Sequence, residues 1–348
     1  MKKELLIASA LVSTLGAASV ANAVTATMSG YHKTGLKGSD TDGTASGTVS
    51  HLVESGFTVS LSETTDGGIG IASSFMLANE GVTGTQSAGL TLTFTDGSKL
   101  DVMNGGNAAN SHDVSVPGGA GDAGVTITST NNAQTGLDFF GEATALGVEW
   151  HSAADFMADG LKVGASISVD NGVAEGTTVT LESSWGLGAT YVTSAGDTAV
   201  TIGAGYANSE FKHSTTDPSS DSNGFHIGFS AVTGNLTVAA GYASGDDVKN
   251  TPDTEVADVT VSKIGVKYVT GDVTLSVGHT SGEGSDSTTM GTAGTTTDAK
   301  DITDAGISYA VASGVTANIG WQNADSTDEG SSETSGGTSW YIGANMSF

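Results

Sequence analysis

The sequence predicts an all-β fold, a transmembrane antiparallel β-barrel of about 16 strands. Three observations carry that prediction. Short segments of alternating apolar and polar residues recur from residue 24 to the end of the chain. The connections between them alternate between tight turns and long polar stretches. The final segment, TSWYIGANMSF, is itself strand-like and ends on Phe348.

In that final segment Trp340, Ile342, Ala344, Met346 and Phe348 share one side. Ser339, Tyr341, Gly343, Asn345 and Ser347 share the other. The period of two marks a strand with one apolar face. A barrel needs such a segment to pair with its first strand and leave no edge.

The earlier segments follow in order. Strands are expected at 24–36, 57–64, 69–78, 90–94, 99–103, 140–151 and 161–169, then at 182–193, 198–209, 224–232, 236–244, 259–269, 273–281, 303–311 and 315–323. Tight turns fall at Asp66-Gly67, Asp96-Gly97, Ala195-Gly196, Thr233-Gly234, Thr270-Gly271 and Ser313-Gly314, with a longer one over 153–160. Long polar loops are expected at 37–55, 79–87, 104–136, 170–181, 210–221, 245–257, 282–301 and 324–337. Seven short and eight long connections join 16 strands and put both chain ends on the short-turn side.

The faces agree with a membrane setting. Ile264, Val266 and Tyr268 alternate with Lys263, Gly265 and Lys267, and Val315, Ala317, Ile319 and Trp321 with Thr316, Asn318, Gly320 and Gln322. Tyr206, Tyr242, Trp321 and Trp340 lie toward the long-loop ends of the apolar faces. Tyr191, Tyr268, Tyr309 and Phe348 lie toward the short-turn ends, so two aromatic girdles are expected. A soluble β-sandwich would use the same apolar residues as a core, but the second face lacks large side chains.

Residues 1–23 read as a signal peptide: Lys2 and Lys3, an apolar run, then Ala21-Asn22-Ala23. The expected mature domain is 24–348, secreted across the inner membrane to the cell outer membrane. It holds nine lysines, no arginine and 37 acids, a formal charge of −28. Such a chain repels nucleic acid. With no cysteine there are no disulfides and no thiolate site. The three prolines, Pro117, Pro218 and Pro252, fall between candidate strands.

Enzyme chemistry finds no support. The seven histidines form no H-E-x-x-H pair and no serine sits in a nucleophile elbow. The stretch from Asp40 fails as an EF-hand, since its sixth and twelfth positions are Ala45 and His51. No cofactor is expected; the acidic loops leave weak divalent-cation binding open.

The pattern resembles the general diffusion porins of Gram-negative bacteria, most closely the alphaproteobacterial type. The resemblance rests on ANA before VTATMSG, on the Asp-Gly hairpin leading into KLDVMNGG and a long third loop, on units such as ISYAVASGVTANIGWQNAD, and on the ending TSWYIGANMSF. It implies a water-filled, usually trimeric barrel in outer-membrane lipid. Small hydrophilic solutes and ions diffuse through it, and its third loop folds into the lumen. The barrel-assembly machinery reads the terminal aromatic, here Phe348. The family often sets acids on that loop against an arginine cluster. Here the candidates for the constriction are Asp113 and Asp122 on the loop, Asp101 beside it, and in place of arginines Lys33, Lys99, Lys162, Lys263 and Lys267. Lys33 is placed toward the outer end of its strand. The acidic balance suggests cation preference. Two rival readings are an acidic surface-layer or adhesin-type β-protein and a selective channel for anionic nutrients. No long internal repeat supports the first, and nine dispersed lysines are few for the second.

Overall fold

The alternation seen in the sequence folds into sixteen strands. The structure is a computed structural model that describes residues 24–41, 47–79, 89–103, 107–119, 147–169, 180–212, 219–247, 257–285, 297–328 and 333–348. The leader at 1–23 and Asp122 lie outside the described residues. In chain order the strands are β1 Thr25–Thr41, β2 Thr48–Thr64, β3 Gly70–Asn79, β4 Leu90–Thr93, β5 Lys99–Val102, β6 Gly147–His151, β7 Leu161–Val169 and β8 Thr180–Ala195. They continue as β9 Thr198–Lys212, β10 Ser219–Thr233, β11 Leu236–Asp247, β12 Ala257–Thr270, β13 Val273–Ser285, β14 Thr297–Ala312, β15 Val315–Asp328 and β16 Glu333–Ser347.

Each strand pairs antiparallel with its chain neighbour, and β1 pairs with β16 to close the ring. The closing register runs from Tyr31 opposite Ser347 to Thr41 opposite Gly337. Closure gives every strand a paired neighbour on both sides, as a barrel that spans a membrane requires. A β-sandwich reading is thereby excluded. No helix among the described residues is long and apolar enough to cross a membrane.

Burial is inverted relative to a water-soluble domain. Ile227, Ile264, Val277, Ile319 and Ile342 are among the exposed large apolar side chains. The buried apolar residues are mostly alanines and valines. The outer face is therefore the apolar one. Trp321 stands opposite Trp340 on it, and the Trp185–Tyr206 and Phe225–Tyr242 rings pair with centroids 5.4 and 6.1 Å apart. Tyr191, Tyr268, Tyr309 and Phe348 are exposed toward the short-turn end.

The tight turns follow from glycine. Gly234 and Gly271 each occupy the first position of a two-residue connection with φ of +56° and +57°. Positive φ at that position is the II′ pattern, whose twist matches the flanking strands.

Several strands outrun the predicted ones. β1 reaches Thr41 and β2 starts at Thr48, where a loop over 37–55 was expected. Residues 37–39 pair in register with 48–50 without an apolar face, because a β ladder is held by backbone bonds and can continue past the lipid band. Lys33 therefore sits mid-strand rather than near the outer end. Of the strand expected over 140–151, residues 147–151 are seen as β6 and 140–146 lie outside the described residues.

Candidate functional site

The third connection leaves β5 at Val102, and its described part, 107–119, lies against the inner wall. Its first anchor is Ser166 on β7, whose Oγ accepts the Ala108 N–H at 2.9 Å. The Asn107 side-chain oxygen accepts the Ala109 N–H at 2.9 Å and starts a single 3₁₀ turn, Asn110–His112. His112 Nδ1 is 2.8 Å from Thr190 Oγ1 on β8. His226 on β10 donates from Nε2 to the Ala109 carbonyl at 2.7 Å, and its Nδ1 lies 2.9 Å from Asp113 Oδ1. Farther round, Gly119 N–H donates to Asp304 Oδ1 on β14 at 2.7 Å. The loop thus crosses the wall from β7 to β14.

What lets it lie so close is a track of lumen-facing glycines. Gly164, Gly188 and Gly205 are register partners on β7, β8 and β9. Gly203 pairs with Gly228, and Gly265 with Gly278. A Cβ at Gly228 would stand 2.7 Å from Val114 Cβ, and one at Gly205 would stand 2.7 Å from Ala109 Cα. At Gly265 and Gly278 it would meet the Pro117 carbonyl, at Gly203 the His112 carbonyl and at Gly188 the Ala108 carbonyl. Removing the side chains cuts a groove into the wall, and the loop backbone fills it. The sequence reading saw only small lumen-facing residues here. The one available signal was the i, i+2 spacing of Gly186 and Gly188 and of Gly203 and Gly205.

The charged candidates separate into distinct places. Lys33 binds Glu54 at 3.1 Å and stacks over the Tyr31 ring at 5.5 Å. Asp101 accepts from Thr91 and lies 2.8 Å from His151 Nε2, and Glu149 lies 3.7 Å from the other nitrogen of that ring. Lys99 and Lys162 share a recess of about 720 Å³ with Asp101, His112 and His151. Lys263 stands opposite Gly241 and Thr280, four residues from Lys267 on the same face. Lys267 lines a second recess, of about 490 Å³, with loop residues 115–119. Asp113 turns to the wall-bound His226 and its side chain is 27% exposed. The described candidates are not gathered into one ring.

The described lumen face is also not acidic. Among described side chains in regular register, Lys33, Lys37, Lys99, Lys162, Lys263, Lys267 and Lys300 share the lumen face. The carboxylates there are Glu54, Asp101, Glu149 and Asp304, joined by Asp113 from the loop. Glu63, Asp301 and Asp325 stand on the outer face instead. Among the described residues no group of three or more His, Asp or Glu could hold a metal.

Comparison with known proteins bears on this arrangement. The Gram-negative porin family matches residues 8–328. No curated protein matches the chain in sequence. Several solved structures share its fold. A porin refined at 1.8 Å resolution aligns with TM-score 0.63 and 18% identity over 93% of this chain and 100% of its own. The trimer form of OmpT from Vibrio cholerae aligns with TM-score 0.60 and 15% identity over 93% and 99%. The anion-selective porin from Comamonas acidovorans aligns with TM-score 0.63 and 12% identity over 94% and 100%.

Proposed function

The chain belongs to the Gram-negative porins, and from that premise we propose that it is an outer-membrane channel passing small hydrophilic solutes and ions by passive diffusion, not an enzyme. One observation carries the reading. The barrel is closed, its described lumen face is mostly polar or small, and residues 107–119 of the third connection are held against one wall along the glycine track. A solute then meets a water-lined passage in which fit and local charge, rather than a binding reaction, decide passage.

Ion preference is the finer part of the proposal. The described lumen face carries more lysines than carboxylates in regular register, so most of the acids that make the mature chain −28 act from elsewhere. Acids at outer strand ends and in the connections raise the local cation concentration through a surface potential, which salt screens. Cation preference is therefore expected at low salt and fades as salt rises. The chain assembles as a homotrimer, by likeness to the trimeric form of OmpT. Phe348 presents the terminal aromatic to the assembly machinery.

The test is conductance of the purified chain in planar bilayers under a salt gradient. Stepwise openings with a cation-directed reversal potential near 0.05 M that shrinks toward zero near 1 M are expected, since the screening length falls from over 10 Å to about 3 Å. A preference unchanged across that range would place the selecting charges inside the lumen. Absence of conductance from inserted protein would remove the channel reading.

A further inference from the structure

The second recess is built differently from the rest of the lumen. It lies on the short-turn side of the seated loop, roofed by residues 115–119. Lys267 on β12 stands at its centre, with Thr237 of β11 and Ser276 of β13 directly opposite it in register. Partners in register hold their Cβ atoms about 5 Å apart, within reach of a lysine head group. Thr274 and Ser308 face each other one pair farther round, and Ser230 closes the other side. The Ser308 hydroxyl donates to Asn318 Oδ1 at 2.7 Å, which leaves its lone pairs rather than its proton for other contacts.

No carboxylate lines this recess; among its described lining residues Lys267 carries the only charge. The first recess contrasts with it. There Lys99 and Lys162 share space with Asp101, whose carboxylate is paired to His151. A cation with no acid beside it, surrounded by hydroxyl donors from several strands, matches a group with one negative charge and several acceptor oxygens. Among the described lining residues there is no aromatic ring to stack on a sugar. A volume of about 490 Å³ admits a small anion together with its water.

We infer that the Lys267 recess is a binding site for a small oxyanion, with phosphate as its representative. The inference rests on the channel reading. The site is open to water, so binding is weak, and anions pause there on the short-turn side of the loop before crossing.

The test uses the full mature chain in planar bilayers, with potassium chloride current as the baseline and inorganic phosphate titrated from either side. In the wild type, phosphate lowers the baseline current along a saturating curve, half-complete at on the order of millimolar and reached at lower concentration from the short-turn side. Lys267→Gln raises the half-saturating concentration by about tenfold, the factor expected for losing one charge-assisted contact. The double variant Thr237→Val with Ser276→Ala keeps the lysine and still raises it severalfold. Lys263→Gln removes a lumen charge four residues away on the same strand and leaves it unchanged. A non-saturating titration, identical in the wild type and Lys267→Gln, would overturn the site. So would an equal effect from Lys263→Gln, because the charge would then act at long range. Each variant must first show normal chloride steps, and a wild type without them would defeat the channel reading instead.

Discussion

His226 Nε2 donates to the carbonyl of Ala109 over 2.7 Å, joining β10 to a loop residue 117 positions earlier in the chain. The ring is buried, and its second nitrogen lies at ion-pair distance from Asp113. One side chain therefore holds both ends of the single 3₁₀ turn. Replacing it with alanine leaves the Ala109 carbonyl with only the His112 N–H at 3.2 Å and takes the imidazole from Asp113, at a net cost of about 0.5–1.5 kcal/mol local to the loop. His226→Ala should speed hydrogen exchange of the amides in 107–119 and raise open-channel noise, while the barrel keeps its melting temperature. Unchanged exchange in that segment would show that the imidazole does not hold the loop.

The glycine track makes a second prediction. Gly228→Ala and Gly265→Ala each push a methyl into the loop, against Val114 and the Pro117 carbonyl respectively. The wall cannot yield, because its backbone is fixed by ladders on both sides, so the loop must move. Overpacking of this kind costs about 1–3 kcal/mol, here borne by the loop contacts. Single-channel conductance should change in both variants. It should not change in Gly70→Ala, whose added methyl would meet Thr93 at an ordinary 3.4 Å and touches no part of the loop. Equal conductance in all three would mean that the groove does not set the loop's position.

The third prediction concerns acid. Burial and the neighbouring cationic groups His151, His226 and Lys162 hold the His112 pKa below its ordinary 6.5. The carboxylates on the other side are Asp113, next in sequence, and Asp101 across the recess. Because the released loop would take up a proton more readily than the seated one, the seat is at full strength above about pH 6.5 and weakens as pH falls through the lower, seated value. Exchange of the 107–119 amides, corrected for intrinsic rate, should be faster near pH 5 than near pH 7.5. His112→Gln should flatten that dependence; if it persists in the variant, another group is responsible.

These three contacts also mark where sequence reading stops. The strands were readable because a period of two is a local property: the alternation around Ile264 or Ile319 needs no knowledge of what lies opposite. The lumen face of Lys263 and Lys267 follows from the same alternation. The loop's seat is not local. Ala108 meets Ser166 across 58 residues, and Gly119 meets Asp304 across 185. A glycine such as Gly228 looks the same in sequence whether it opens a groove or merely lines water. Asp113 illustrates the cost. Its place on the third loop made it a constriction candidate, and nothing local announces its partner, a buried histidine on another strand. Lys33 was misplaced in depth for a different reason: polar residues beyond the lipid band continue the ladder without an apolar face to announce it.

The last prediction separates two roles of Phe348. Its amide donates to the Gly30 carbonyl and its carbonyl accepts from the Gly30 amide, both at 3.1 Å, so the backbone closes the seam between the chain's two ends. The ring contributes less to that closure. It leans over Gly30 and lies 6.4 Å from the Phe57 ring, but the residue is 78% exposed. Phe348→Ala keeps both backbone bonds, and an exposed truncation of this kind costs at most about 1 kcal/mol. Refolded in detergent, the variant should run as a heat-modifiable barrel with a melting temperature close to that of the parent. On the proposal that the exposed ring serves assembly rather than the finished barrel, the amount inserted into the outer membrane of cells should fall severalfold. A large loss of melting temperature in the refolded variant would assign the ring to the barrel itself, and full insertion in cells would remove its part in assembly.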